Sequence, residues 1–483
     1  MKTLPIRRAM RPAVALLERS VRPWPTLLLM ITMDFVALAS AGSLGIWGRL
    51  WLGGSLDPEF YLRLWPILLV FLLVYAVQGL YPGVTIGPVD ELRSITVSTS
   101  LVYLFLGAVI FLFREGVLYS RGAFIAAWLL SIIFVLLGRM LLRCLFARRA
   151  WWGVPTIVLG AGKTGALVVK TLQNNAHLGL KPIAILDDDL QKRGTLHGVP
   201  VLGDLSLAPL LARRLNLSYA IVAMPGVHAD QLLPLLEQYG QTFPHLLIIP
   251  DLFGVASLWV EAKDLAGVLG LEIRQQLLLP GPRLMKWGVD LTIASLVSLV
   301  LLPLILVIAL LIWLDSPGPI FYGHTRLGRG GQSFKAWKFR TMVKNADAVL
   351  ETYLQQHPEA RALWEENRKL KDDPRITPMG KILRRTSLDE LPQLWNVFRR
   401  EMSLVGPRPI VDEEVSHYAE KFRLYTRVLP GITGLWQVSG RSNTTYEERV
   451  ALDAYYVRNW SVWLDLYILF KTIWVVLRGD GAY

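Results

Sequence analysis

Cysteine is almost missing from this chain. Among 483 residues only Cys144 occurs, inside an apolar run, so no intrachain disulfide can form. Charge is sparse too, at 18% of residues, and acidic groups are the scarcer sign, 38 against 51 basic, for a net charge of +13. That excess does not sit in a lysine-rich tail. Much of it is arginine flanking apolar segments, a pattern set by membrane topology, and no nucleic-acid partner is expected. What is abundant is hydrophobic: 53% of the residues, with a mean hydropathy of +0.40. Length and composition together indicate a membrane protein of more than one domain. The basic N-terminus precedes an apolar stretch that no small-residue cleavage site ends, which reads as a retained anchor.

Four apolar segments fill the first third, at about Thr26–Trp47, Leu62–Leu80, Ile95–Phe113 and Phe124–Leu142. Each is near the ~20 residues that a spanning helix needs. Lys2, Arg7, Arg8, Arg11, Arg19 and Arg22 precede the first, and Arg139, Arg143, Arg148 and Arg149 close the fourth. The intervening outer loops, Gly48–Tyr61 and Arg114–Arg121, carry less net positive charge. The positive-inside rule therefore puts both ends of a four-helix transmembrane domain, residues 1–150, in the cytoplasm.

From Trp151 the pattern changes. Pro155–Leu159 reads as a buried strand, with further strands at Ile183–Leu186, Tyr219–Met224 and Leu246–Ile249 and helical stretches between them. Alternating strands and helices predict a Rossmann-like α/β domain over 151–275. Gly160, Gly162 and Gly165 match a dinucleotide fingerprint, with Asp187 about 20 residues further on. Two readings stay open: these four residues hold a nucleotide or NAD, or the glycines serve only a tight turn and close helix packing. A membrane-tethered NAD-dependent nucleotide-sugar dehydratase or epimerase would centre here, but the α/β segment contains no Tyr-x-x-x-Lys pair. A nucleotide-sensing scaffold without catalysis is a further alternative.

A fifth apolar segment, Leu291–Leu314, is long enough to cross a bilayer. Arg274, Arg283 and Lys286 lie before it, and Arg326, Arg329, Lys335, Lys338 and Arg340 lie after it. Basic residues on both sides conflict with a single crossing. Pro303 near its middle removes a helical hydrogen bond and can bend a helix. The sequence therefore predicts a re-entrant membrane helix, about 285–314, leading into a mainly α catalytic domain over 276–483.

Within that domain Ser387-Leu388-Asp389-Glu390 follows the basic positions Lys381, Arg384 and Arg385. Two adjacent carboxylates beside cations suit nucleophilic and metal-assisted chemistry on a phosphate. Ser387-x-x-Glu390 equally fits a helix capping box. A carboxylate needs no deprotonation at neutral pH, but it must approach an anionic substrate, so positive charge is required nearby. Lys338, Arg340, Arg384 and Arg408 are the candidates, with Arg408 on the stiff backbone of Pro407-Arg408-Pro409. Trp460–Leu477, with Trp460, Trp463 and Trp474, reads as an interfacial helix.

Taken in order, Asp315–Phe321, Arg326–Gly331, Lys338–Met342, the acidic-pair segment, Met402–Pro409, Pro430–Arg441 and Trp463–Leu466 resemble the bacterial monotopic phosphoglycosyltransferases. The resemblance runs from Arg283 to Tyr483, and the whole-chain plan is similar to the long branch, the undecaprenyl-phosphate galactose phosphotransferases. It implies an enzyme of the bacterial cytoplasmic membrane that starts lipid-linked glycan assembly. The substrates it implies are UDP-hexose, with galactose favoured and glucose next, and undecaprenyl phosphate, with UMP released. Asp389 would attack the β-phosphorus and Glu390 would bind Mg²⁺, with Lys338 and Arg384 catalytic. Arg340, Arg408, Pro407, Pro409, Arg441 and Asp465 would contact substrate. A homodimer is compatible with it. One departure is Leu302 before Pro303, where the family commonly has serine.

Overall fold

A computed structural model describes residues 23–54, 65–112, 120–226, 239, 241–249, 260–265, 268–273, 276–359, 361, 364, 370, 373–440 and 444–478. They form two compact units, Met1–Gly254 and Val255–Tyr483.

The first unit opens with apolar helices α1 (Pro23–Trp51), α2 (Ile67–Val77), α3 (Pro88–Leu112) and α4 (Arg121–Phe146). α1, α3 and α4 are long and apolar enough to cross a membrane. The expected second span is shorter than foreseen: α2 has 11 residues, ~16 Å, about half the hydrocarbon thickness. Leu62–Leu64 of that expected span lie outside the described residues. Leu38, Phe71, Tyr75, Ile95 and Val135 pack inside the bundle, while residues such as Leu44, Leu104 and Phe111 face outward. Its polar interior is largely paired, Arg143 Nε excepted. Arg139 is wholly buried and donates to Asp34, Glu91 and the Leu80 carbonyl, and Arg143 joins it on Glu91. This answers the cost of burying charge in an apolar bundle.

The α/β part follows as β1 (Val154–Leu159), α5 (Lys163–Asn174), β2 (Leu180–Leu186), β3 (Gly194–Leu196), β4 (Val199–Gly203), α6 (Ala208–Leu215), β5 (Tyr219–Val222) and β6 (His245–Ile248). The sheet order is β3-β4-β2-β1-β5-β6, parallel except for the β3–β4 pair. Alternation along β1 supplies both faces: Ile157 and Leu159 join one core cluster and Val158 the other. The four expected strands are present. The β3–β4 hairpin was not foreseen, because its strands are short; its marker is the His197-Gly198 turn, both at positive φ.

The second unit begins with a hairpin, β7 (Val260–Leu265) and β8 (Val268–Ile273), which the sequence reading had grouped with the α/β domain. Then comes α7 (Pro280–Asp315), one helix of 36 residues, ~54 Å long, that runs through Pro303 without an assigned break. Both ends of α7 pack on the same unit. Lys286 and Asp290 near its start bond Val405, Ser403 and Asp465, whereas Ile308 and Ile312 near its end pack on Phe339 and Leu383. Between them Leu296, Leu299 and Val300 are exposed.

The antiparallel ribbon β9 (Phe321–Leu327) and β10 (Ser333–Phe339) follows, in the register Lys338 opposite Tyr322. After it come α8 (Ala346–Gln356), α9 (Pro378–Thr386), α10 (Gln393–Phe398), β11 (Ser403–Val405), α11 (Val415–Tyr418), α12 (Phe422–Tyr425), β12 (Gly431–Thr433), α13 (Leu435–Ser439), α14 (Tyr446–Asn459) and α15 (Val462–Arg478). The expected interfacial helix is α15, with Phe470, Ile473 and Trp474 exposed at helical spacing. Trp460 is not part of that face: it is buried and its indole N–H donates to Asp465.

Candidate active site

α9 begins at Thr377, whose hydroxyl accepts from the Gly380 amide, and ends at Ser387 in the left-handed region with φ +58°. Ser387 caps no helix start with its side chain, so the capping-box reading gives way to a C-terminal stop. The chain then makes a tight turn, Leu388–Glu390, before α10. Leu388 and Leu391 pack on the cluster of Ile308, Phe339 and Leu383, which holds this turn in place. The two carboxylates between them are left for β10.

There Lys338 meets both. Its amino group donates to Glu390 Oε1 at 2.6 Å and lies 3.5 Å from Asp389 Oδ2. What keeps β10 against this segment is Asn396, fully buried on α10. Its oxygen accepts from the Trp337 amide at 3.0 Å and its nitrogen donates to the Lys335 carbonyl at 2.8 Å, so one amide clamps two strand groups. Arg384 is positioned by its Nε donating to the Thr341 hydroxyl at 3.0 Å. Burial pushes the Asp389 pKa above the ordinary carboxylate range; Lys338 pulls against it, Glu390 adds to it, and Arg384 opposes. Asp389 thus ionises less readily than a free aspartate, yet above that raised pKa it is an anion short of solvent, a state that favours nucleophilic attack.

A cation not named among the site residues in advance completes this side. Burial lowers the Arg326 pKa, Arg408 pushes it the same way, and Glu414 and Glu390 oppose. Arg326 pairs with Glu414 at 4.0 Å and also feels Glu390 and Arg408. The Pro407-Arg408-Pro409 segment is tied to the end of β9: the Leu327 amide donates to the Ile410 carbonyl at 2.9 Å, and the Tyr425 hydroxyl bonds both residues. Arg408 lies over the Trp436 ring at 5.7 Å, with Pro407 buried and Pro409 half-buried beside it. In the sequence Arg326 is both a basic residue flanking the fifth apolar segment and the first residue of the run Arg326–Gly331. Asn396 was equally legible, an amide beside Gln393 in an otherwise apolar segment, but its role needed the partner strand.

Two further expected contacts also bond the fold. Arg340 is buried and donates from Nη2 to the Ser316 carbonyl at the end of α7, while its Nη1 has no partner. Asp465 is 2% exposed, and its oxygens are taken by Lys286 at 2.8 Å, Tyr456 at 2.8 Å and Trp460 at 2.9 Å. These bonds fasten α15 to the start of α7. Arg441 lies outside the described residues.

In the α/β part, a Cβ on Gly165 would come within 2.0 Å of the Gly160 carbonyl oxygen, and one on Gly160 within 2.6 Å of Met224. These two glycines are required by turn and helix packing. Gly162 faces open space at the start of α5. Asp187 is engaged by its own chain: it accepts from the Ala161 amide at 2.7 Å and from Asp189, and pairs with Lys192 at 3.2 Å.

Among the described residues no group of three His, Cys, Asp or Glu side chains could hold a metal alone. Mg²⁺ commonly takes one or two carboxylates and completes its shell with water and substrate phosphates, so an adjacent pair on a diphosphate fits.

A family model for a bacterial sugar transferase matches residues 281–479, and one for a CoA-binding domain matches residues 77–250. Over 370 residues the chain is 41% identical to the UDP-galactose-lipid carrier transferase of Erwinia amylovora, covering 75% of this chain and 76% of that one. The chain belongs to the bacterial sugar transferase family. It is 37% identical over 368 residues to the undecaprenyl-phosphate galactose phosphotransferase of Salmonella typhimurium, covering 76% of this chain and 77% of that one. It is 32% identical over 335 residues to the UDP-glucose:undecaprenyl-phosphate glucose-1-phosphate transferase of Escherichia coli, 68% of either chain. As a sugar transferase with several membrane-length apolar helices, it is a membrane enzyme.

Proposed function

We propose that the protein transfers a hexose 1-phosphate from UDP-hexose to undecaprenyl phosphate and releases UMP, the first membrane step in building a surface polysaccharide. The observation that carries this is the pair Asp389 and Glu390 bridged by one lysine, inside the segment shared with lipid-carrier sugar transferases. An Asp389 oxygen forms a bond to the β-phosphorus of the donor while the bond to the bridging oxygen breaks, and UMP leaves with that electron pair. An oxygen of undecaprenyl phosphate then attacks the same phosphorus and returns Asp389 as carboxylate. Lys338 and Arg384 hold positive charge beside the transferring group. Glu390 would hold Mg²⁺, which when bound neutralises diphosphate charge. Arg326 and Arg408 are read as contacts of the nucleotide part. Galactose is the first sugar to try, because the two relatives named for it are more similar than the glucose enzyme.

The same reading has a multi-pass protein of the bacterial inner membrane, with domains 1–150, 151–275 and 276–483 and its site at the cytoplasmic face. Support for a re-entrant α7 is that both its ends pack on one compact unit while its middle exposes leucine. For the α/β domain, the self-engaged Asp187 favours glycines that serve packing over a bound nucleotide.

The test is purified protein with Mg²⁺ and UDP-galactose labelled at the β-phosphorus. Labelled protein should accumulate without acceptor and discharge when undecaprenyl phosphate is added. Asp389→Asn should abolish labelling and lower UMP release by at least ~10³-fold; undiminished turnover would refute the nucleophile. Glu390→Gln should weaken the Mg²⁺ dependence, and an unchanged metal response removes it as a ligand.

A further inference from the structure

The second unit holds an open cavity of about 1020 Å³ that none of Asp389, Glu390, Lys338 or Arg384 lines. It lies between the first turns of α7, the closed end of the β9–β10 ribbon, the C-terminal end of α10 and the stretch from Thr426 to Leu429. Lys338 and Ser333 are at opposite ends of β10, ~17 Å apart along the strand, so the cavity and the acidic pair are separate places.

Its charge is unbalanced. Arg283, Arg329, Arg400 and Arg427 line it, and among the described residues none of them has a carboxylate within ion-pair distance. The two acidic residues in the wall are already used. Asp290 is paired with Lys286 at 3.1 Å and accepts from Ser403, and Glu401 is paired with Arg399 at 3.2 Å. Four arginines therefore line a space whose remaining wall is mixed, with Trp287, Phe334 and Met402 beside Gln332, Ser333 and Thr426. Arg400 stacks over Trp287 at 3.8 Å, which fixes one fork at the mouth. At the mouth, Leu284 and Met285 of α7 are exposed; half-buried Trp287, Val289, Leu291 and Ile293 lead on to the exposed apolar surface that begins at Leu296.

We propose that this cavity seats the headgroup of an anionic membrane phospholipid. Arginine forks bind phosphate oxygens in pairs, the apolar part of the wall takes the glycerol region, and the acyl chains run along α7. A soluble anion would use the arginines but not the apolar path along α7. The acceptor lipid is a poor occupant, since its phosphate must reach Asp389. The bound lipid is thus a resident that holds the base of α7 at the membrane surface. This rests on α7 lying in the membrane, and not on the role of Asp389.

The full chain, purified in mild detergent, is titrated with dioleoylphosphatidylglycerol or dioleoylphosphatidylcholine and read by native mass spectrometry. One phosphatidylglycerol should bind per chain, at least tenfold tighter than phosphatidylcholine. Arg329→Gln with Arg427→Gln should weaken it at least tenfold, while labelling by UDP-sugar in detergent stays unchanged. Lys421→Gln with Arg423→Gln, exposed cations outside the cavity, should change neither. An equal loss in that control means diffuse surface charge and overturns the proposal. So does displacement by millimolar inorganic phosphate or by stoichiometric undecaprenyl phosphate, or a lipid-free dimer that covers the face. Loss of labelling in the unsubstituted protein would count against the proposed reaction and leave the lipid result standing.

Discussion

At Asp389 burial and the neighbouring charges act in opposite directions. Burial raises its pKa, Lys338 lowers it, Glu390 raises it and Arg384 lowers it, with a net upward shift. The nucleophile must be ionised, so protein labelling should fall as pH drops through a value above the usual ~3.9. Lys338→Met removes the cation 3.5 Å from Asp389. The acid limb should then move up by about 1 pH unit or more, and the rate at pH 7 should fall ~100-fold; a pH–rate profile of labelling reads both. Asp453 offers a second pH-dependent position. It is buried on α14, accepts from the Tyr418 hydroxyl at 2.8 Å, and its pKa is pushed up to about 7 by burial, with Arg408 opposing. A raised native pKa gives stability that is fully present below the unfolded value and lost as pH rises to about 7. Asp453→Asn should therefore flatten the decline in unfolding midpoint between about pH 4 and 7 and stabilise the protein at pH 8.

Elements owe their positions here to single polar residues at apolar contacts. Asn396 joins α10 to β10 by bonds to Trp337 and Lys335 and also donates to Glu401. Asn396→Ala leaves those strand groups without partners in a buried place, at a cost of about 1–3 kcal/mol. Thermal unfolding in detergent should register that loss, and labelling of Asp389 should slow, because Lys338 rides on the freed strand. The turn bearing the acidic pair shows why local pattern misled. Ser-x-x-Glu reads as a capping box, but Leu388 and Leu391 are drawn into the cluster under α7, so the chain stops one helix at Ser387 and turns. Tertiary burial of two leucines outweighs a cap worth about 1 kcal/mol. For α7, proline and flanking charge were legible as a conflict with simple crossing, while the helix itself continues through Pro303.

At the scale of the molecule, the topology of α7 is open to direct measurement. In a Cys144→Ser background, Gly281→Cys and Gln332→Cys flank the helix on either side. A membrane-impermeant thiol reagent should label both in inverted inner-membrane vesicles and neither in intact spheroplasts; labelling on opposite sides would mean that α7 crosses. What the amino-acid sequence determined alone was largely local: the apolar runs, four of the six strands of the parallel-rich sheet, and the order of motifs around Asp389 and Glu390. Composition and periodicity act between near neighbours, so they survive in one dimension. The partners of charged groups were decided by tertiary structure. Lys338 lies 51 residues from Asp389, and Lys286 lies 179 from Asp465. The first approach sets a cation beside the acidic pair, and the second ties a residue expected to meet substrate into the fold. Arg340 and Asp465 carry the same charges as the groups around Lys338, yet both are buried and bond the fold, Asp465 to Lys286 and Arg340 to the Ser316 carbonyl, with Arg340 Nη1 left without a partner. The motif could announce that carboxylates and cations were present; only packing determined which of them still had a free side to offer a phosphate.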